Sequence, residues 1–194
     1  MRQVCRALLV AVVAITWVGC SGSSSPSSPS SAGSTLNVML KDSPFSDAKA
    51  LLVTFSEVSA HISGSGGFDT LPFSGGGTTR TCDLKKLTTS QDILGTGKLA
   101  AGHYTQIRLV VTSAVIYFDN ASSGAACAPS IAAPACRNAN VTVSSGDVKL
   151  NREFDVTASG ATTILVDFNG DQSITLQGNG EYRMSPVIAV VSVS

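Results

Sequence analysis

The chain has 194 residues, with 13 Lys and Arg against 13 Asp and Glu, so its formal net charge is zero. Only 13% of the residues are charged and no basic stripe is present, which argues against nucleic acid as a partner. Eighteen glycines, short apolar runs and frequent turn residues suit an all-β domain.

At the N-terminus, Arg2 and Arg6 precede an apolar run, Ala7–Val18, broken only by Thr16. A membrane-spanning helix needs about 20 apolar residues, and this run is shorter. A basic start, a short apolar run and small residues at its end read as a secretory signal peptide over residues 1–19. The run closes with Trp17-Val18-Gly19-Cys20, followed by Ser21. This resembles a bacterial lipobox, although Trp17 stands where Leu is usual. The resemblance implies that the Cys20 thiol is diacylated, in palmitate-like fashion, and becomes the new N-terminus. The plainer reading is an ordinary cleavage site with a chance cysteine. One acyl chain holds weakly, so the two or three chains of a lipoprotein are what make a firm anchor. Removing Arg2 and Arg6 with the signal leaves 11 basic against 13 acidic residues, a net charge of −2.

Residues 20–34 continue as the expected lipidated cysteine and a Ser/Pro-rich tether, SGSSSPSSPSSAGS. Nothing in that tract larger than Ala is apolar, so it has nothing to bury, and as a flexible coil it spans roughly 20 Å. An O-glycosylated stalk is the other reading of such a tract. The folded domain is expected over residues 35–194, long enough for one core.

Within it, Thr35–Leu40 reads as the first strand, and Lys41–Phe45 as a turn. In Lys49–Ile62 the apolar phase is odd at Leu51, Val53 and Phe55, then even at Val58, Ala60 and Ile62. Such a slip is what a β-bulge produces. Ser63–Phe68 and Ser74–Thr78 are Gly-rich turns around a short strand, Thr70–Phe73; neither has phosphate-loop spacing. Thr79–Leu84 is a strand, and Lys85–Leu94 has room for a helical turn. Gly95–Thr112 reads as a short strand, a tight Ala101-Gly102 turn and a long core strand. There Ile107, Leu109 and Val111 share one face.

Ala114–Phe118 continues or restarts that strand. A long loop, Asp119–Asn138, then carries two cysteines. Asn140–Ser144 and Asp147–Thr157 follow. Arg152 falls on the apolar face of the latter, so it should pair or lie at a strand edge. Thr162–Phe168 and Ser173–Gln177 look like a hairpin across Asn169-Gly170-Asp171. Tyr182–Met184 is short, and Val187–Val193 is apolar enough for a central strand.

The phrases KDSPFSDAKALLVTFSEVSAHI, CDLKKL, LGTGKLAAGHYTQIRLVV, FDVTASGATTILVDFNGDQSI and YRMSPVIAVV, in that order, resemble a bacterial lipoprotein family known as domain of unknown function 4382. That resemblance implies a prealbumin-like sandwich of the class that includes carboxypeptidase regulatory domains. LAAGHYTQIRL is similar to the "Leu-x-Ala-Gly-x-Tyr" phrase of those sandwiches. It brings no established activity, cofactor or catalytic residue. The expected fold is a single antiparallel β-sandwich, prealbumin- or immunoglobulin-like. It should have about ten strands and no long helix apart from the signal peptide. Ala121–Asn138 is the least typical segment.

Export to an oxidising space permits disulfides. Cys127 and Cys136 lie in one loop, CAPSIAAPAC, and are the expected pair, leaving Cys82 as a buried thiol. A bond from Cys82 to either loop cysteine is the open rival. The cysteine spacing is not zinc-like.

The two histidines, His61 and His103, accompany no nucleophile motif. His103 reads as a turn residue and His61 as a strand-end residue facing solvent or a loop. Asp167, Asn169 and Asp171 have the D-x-N-x-D spacing of the first half of a calcium loop. Gly170 is at the wrong position for that loop and no Glu closes it, so a turn is the main reading and Ca²⁺ the lesser one. Asp42 and Asp47 lie in another loop that has room for a cation. No other cofactor is expected. The mature chain lacks Trp, so sugar stacking is weakly supported.

These readings describe an exported protein, lipid-anchored to the bacterial cell envelope through its N-terminus. Its sandwich is expected to be a non-enzymatic binding or adhesion module for an envelope protein or glycan. A structural component of an envelope complex and a hydrolase are the competing readings.

Overall fold

The computed structural model describes residues 33–43 and 46–194; the signal peptide, Cys20 and residues 20–32 of the tether lie outside them. The described chain forms β1 (Gly33–Ser43), β2 (Ala50–Ile62), β3 (Asp69–Thr70), β4 (Arg80–Asp83), α1 (Leu84–Leu87), β5 (Asp92–Ala100) and β6 (Gly102–Tyr117). It continues with β7 (Cys127–Ala128), β8 (Asn138–Val143), β9 (Asp147–Val156) and β10 (Ala161–Asn169). The last elements are α2 (Gly170–Ser173), β11 (Ile174–Leu176), β12 (Tyr182–Met184) and β13 (Ile188–Val193). Two- and three-residue strands account for the excess over the ten expected.

The strands form two sheets with the core between them. One sheet has the order β13-β10-β1-β5. The other runs β11-β12-β8-β6-β2-β4-β7, with β3 on β2 and β9 on β6. The all-β sandwich therefore stands, but it is not wholly antiparallel. β1 pairs with β10 in parallel, and β12 pairs with β8 in parallel. In β1 strict alternation sends Leu36, Val38 and Leu40 inward. In β10 the same period buries Ile164, Val166 and Phe168. In the other sheet β2 and β6 form the longest ladder, from Ala50↔Tyr117 to Ile62↔Tyr104. The register shifts around Phe55, where the apolar phase of β2 slips. Phe55 meets Phe168 edge-on across the core, with ring centroids 6.5 Å apart. Tyr104 stacks on Phe154 at 5.3 Å. Burying each such large side chain stabilises the fold by roughly 1.5–3 kcal/mol.

Two connections and one strand position differ from the expected ones. Ala101 does not close a hairpin, because β5 and β6 belong to different sheets. Gly102 serves close packing there: a Cβ on it would stand 2.7 Å from Ile62 Cδ1. The Asn169–Asp171 segment is likewise no hairpin. Asn169 caps α2, accepting from the Gln172 N–H at 2.9 Å, and the chain crosses to the other sheet as β11. β13, apolar enough for a central position, is an edge strand paired only with β10 among the described residues. Arg152 lies, as expected, on a strand with one unpaired side. The ladder shifts between Tyr104 and Gln106, opposite Arg152, and leaves that side chain exposed.

The disulfide also differs. Cys82 bonds Cys127, and Cys136 is free. The physical reason is pairing: β7 lies antiparallel on β4, with Cys82 and Cys127 opposite each other and their Cα atoms 4.1 Å apart. The loop is stitched there by further bonds. Asp83 N–H donates to Ala126 O at 2.7 Å, and Ser122 Oγ donates to Asp83 Oδ2 at 2.6 Å. An unreduced digest read by mass spectrometry should contain a Cys82–Cys127 peptide, with Cys136 the one cysteine of the three in the described residues open to alkylation. Replacing the pair by Ser should cost on the order of 4 kcal/mol, read by denaturant unfolding, because the bond closes a long loop. A Cys127–Cys136 peptide would contradict this pairing.

Candidate functional site

Because β1 and β10 are parallel and in register, they end side by side, at Ser43↔Asn169. Two acidic turns far apart in sequence are thereby brought together at one end of the four-stranded sheet. Asp167 is held on the outer face. Lys41 Nζ lies 3.0 Å from its Oδ2, and Ser43 Oγ donates to both carboxylate oxygens at 3.1 and 3.2 Å. Asn169 is occupied in capping α2. Asp171 Oδ1 accepts from the Ser46 N–H at 3.2 Å, joining the two turns directly. Asp47 is exposed, and its Oδ1 accepts from Ser46 Oγ at 3.4 Å.

Asp42 is different. It continues the inward-facing series Leu36, Val38, Leu40, is only 4% exposed, and neither carboxylate oxygen has a hydrogen-bond partner. Burial pushes its pKa up to about 8. The nearby Gly170 N–H opposes that shift without reaching hydrogen-bond geometry. Asp167 and Asp171 reinforce it, and Lys85 opposes it. Asp83 supplies the contrast within the same molecule. It is fully buried, but accepts from the N–H groups of Leu51 and Lys85, each at 3.1 Å, and from Ser122. One carboxylate is therefore a satisfied structural pin, and the other is an acid that holds its proton at neutral pH. The structure thus places Asp167, Asn169 and Asp171 together with Asp42, with the first three engaged by protein donors or caps. Among the described residues no group of three or more His, Cys, Asp or Glu is placed to hold a metal.

The histidines are apart from this end. His61 Nδ1 is 3.1 Å from Thr105 Oγ1, and its Nε2 is 3.1 Å from Ser65 O, so it ties β2 to β6 and to the following turn. His103 Nδ1 lies 2.8 Å from Asp155 on the exposed side of the β6–β9 pair. A polar groove of about 430 Å³ opens elsewhere, lined by Thr142, Ser144, Gln177, Asn179, Glu181 and Arg183. Its amides and charges suit a polar ligand. Asp42 was legible as inward-facing only by running the first strand's alternation past Leu40 into the expected turn. The groove has no sequence signal, because β8 and the β11–β12 turn meet only in the fold.

Residues 33–186 match the family model described as domain of unknown function (DUF4382). No curated protein and no solved structure matches the chain.

Asp42 makes stability pH-dependent in a definite direction. Its pKa is higher in the folded than in the unfolded chain, so the native state binds the extra proton between about pH 4 and pH 8. The associated stability is full below that window and is lost as pH rises through it. Asp42→Asn should flatten this slope and raise Tm at pH 8 to 9 by at least about 3 °C, measured by calorimetry. An unchanged slope would show that Asp42 is not the titrating group.

Proposed function

The chain belongs to the DUF4382 family, and from that premise we propose that it is an exported, lipid-anchored protein whose sandwich is a non-enzymatic binding or adhesion module of the bacterial cell envelope. The observation that carries this reading is the buried Cys82–Cys127 disulfide, which fits an oxidising compartment. The basic, apolar and lipobox-like N-terminal sequence ending at Cys20 supplies the route out and the anchor. The partners proposed are the membrane, through the N-terminal lipid, and an envelope protein or glycan at the polar groove. The histidines support a non-enzymatic role, since each one's contacts join strands and turns. Tyr104 and Tyr117 are buried, whereas Tyr182 is half-buried, lines the groove and packs against Phe118, so it is the one tyrosine placed to meet a sugar there.

A second reading, a structural component of an envelope assembly, is favoured by one observation: β13 is an uncharged edge strand with exposed Val191.

Cys20→Ser tests the anchor. The wild-type protein should partition into detergent and incorporate labelled fatty acid, and the variant should appear in the soluble fraction without label. Retention of the variant in the membrane would overturn the lipid reading.

A further inference from the structure

The polar groove is built by the β11–β12 turn and by the outward side chains of β8 and β12. Alternation buries Val141 and Met184 and sends Thr142 and Arg183, which lie opposite each other, outward. The turn is closed by Gln177 N–H donating to Glu181 O at 2.8 Å and Gly180 N–H donating to Gln177 O at 2.9 Å.

The lining side chains are fixed but not saturated. Asn179 Nδ2 donates to Glu181 Oε2 at 2.9 Å, and its Oδ1 accepts from the Glu181 N–H at 3.0 Å. Gln177 Nε2 donates to Thr175 Oγ1 at 2.9 Å, and Arg183 Nε donates to Ser144 Oγ. Glu181 Oε1, Gln177 Oε1 and the terminal nitrogens of Arg183 have no protein partner among the described residues. The groove also lies well placed for an outside ligand. Gly33 stands opposite Ala100, and β6 starts at that end and finishes at Tyr117. β8 starts opposite Tyr117, and β12 runs parallel to β8. The turn before β12 therefore points toward the end remote from Gly33, so an anchor joined there leaves the groove open.

We propose that this groove binds a short, uncharged oligosaccharide. The inference rests on the binding-module reading above and selects the glycan from its two partners. Each sugar hydroxyl both donates and accepts. The groove meets that need with free acceptors on Glu181 and Gln177 beside free donors on Arg183. Adjacent hydroxyls of a pyranose present paired groups, which a planar carboxylate or guanidinium meets with two bonds. Glu181 repels an anion such as phosphate and Arg183 repels a cation, so the neutral ligand is favoured. No aliphatic side chain lines the groove, whereas the core of a protein interface is apolar and poor in charge. Tyr182 adds one aromatic surface, half-buried and backed by Phe118 with ring centroids 5.9 Å apart. The volume of about 430 Å³ falls within the roughly 300–1,000 Å³ of small-molecule sites.

The test is titration calorimetry of the purified full chain in a detergent without a sugar headgroup. The neutral probes are maltotriose, cellotriose, mannotriose and chitotriose. Trigalacturonic acid, inorganic phosphate and a tetra-alanine peptide are the contrasts. At least one neutral sugar should bind at millimolar concentration or below, and the contrasts about tenfold or more weakly. Glu181→Gln and Arg183→Gln should each weaken that sugar about tenfold, since each removes a charge-assisted bond. Both melting temperatures should be unchanged, because the two side chains are exposed. No binding of any neutral sugar, equal binding of a contrast, or an affinity indifferent to both variants would overturn the proposal. Retention of isolated envelopes by the full chain tests the module reading separately. If envelopes are retained while no sugar binds, only the glycan assignment is lost.

Discussion

The parallel pairing of β1 with β10 joins the two ends of the described domain, although most of the chain lies between them. Its register runs unbroken from Thr35↔Ala161 to Ser43↔Asn169. Closing so long a loop carries a substantial entropic cost, which the ladder offsets by bringing two apolar series together. Leu36, Val38 and Leu40 enter the core beside Ile164, Val166 and Phe168. Phe168 then reaches Phe55 on the opposite sheet, so the same pairing couples the two layers. β5 and β13 attach to the outer sides of this pair, and each depends on it for its place in the sheet.

The pairing also fixes where chemistry collects. Two strands that end together deliver their turns to one place, and here both turns are acidic. Asp167 and Asp171 find donors, whereas Asp42 follows the inward period and is buried without one. Strand alternation dictates a side chain's direction whatever its polarity. The cost is a carboxyl whose burial favours the protonated form, in a fold that elsewhere satisfies Asp83 with three donors. The same parallel geometry leaves β13 at an edge despite its apolar sequence, because the central places belong to β1 and β10.

Period and punctuation made much of this legible. The slip between Phe55 and Val58 marked a bulge, and the face of Ile107, Leu109 and Val111 was read correctly because alternation is local. The DUF4382 resemblance carried the sandwich class. What stayed hidden depended on which strands become neighbours. The Asn-Gly-Asp segment has the composition of a hairpin turn and the role of a sheet-to-sheet crossing. Cys127 pairs with Cys82 because β7 docks on β4, and loop proximity to Cys136 pointed the other way. The central or edge position of Val187–Val193 is likewise a property of the sheet order and not of the residues.

Native-state hydrogen exchange, read residue by residue, tests the organising role of the β1–β10 pairing most directly. Amides of Val38, Leu40, Ile164 and Val166 should exchange only through global unfolding, with a shared denaturant dependence and matching opening free energies. Exchange of the β1 amides through a local opening, while those of β10 stay protected, would contradict it.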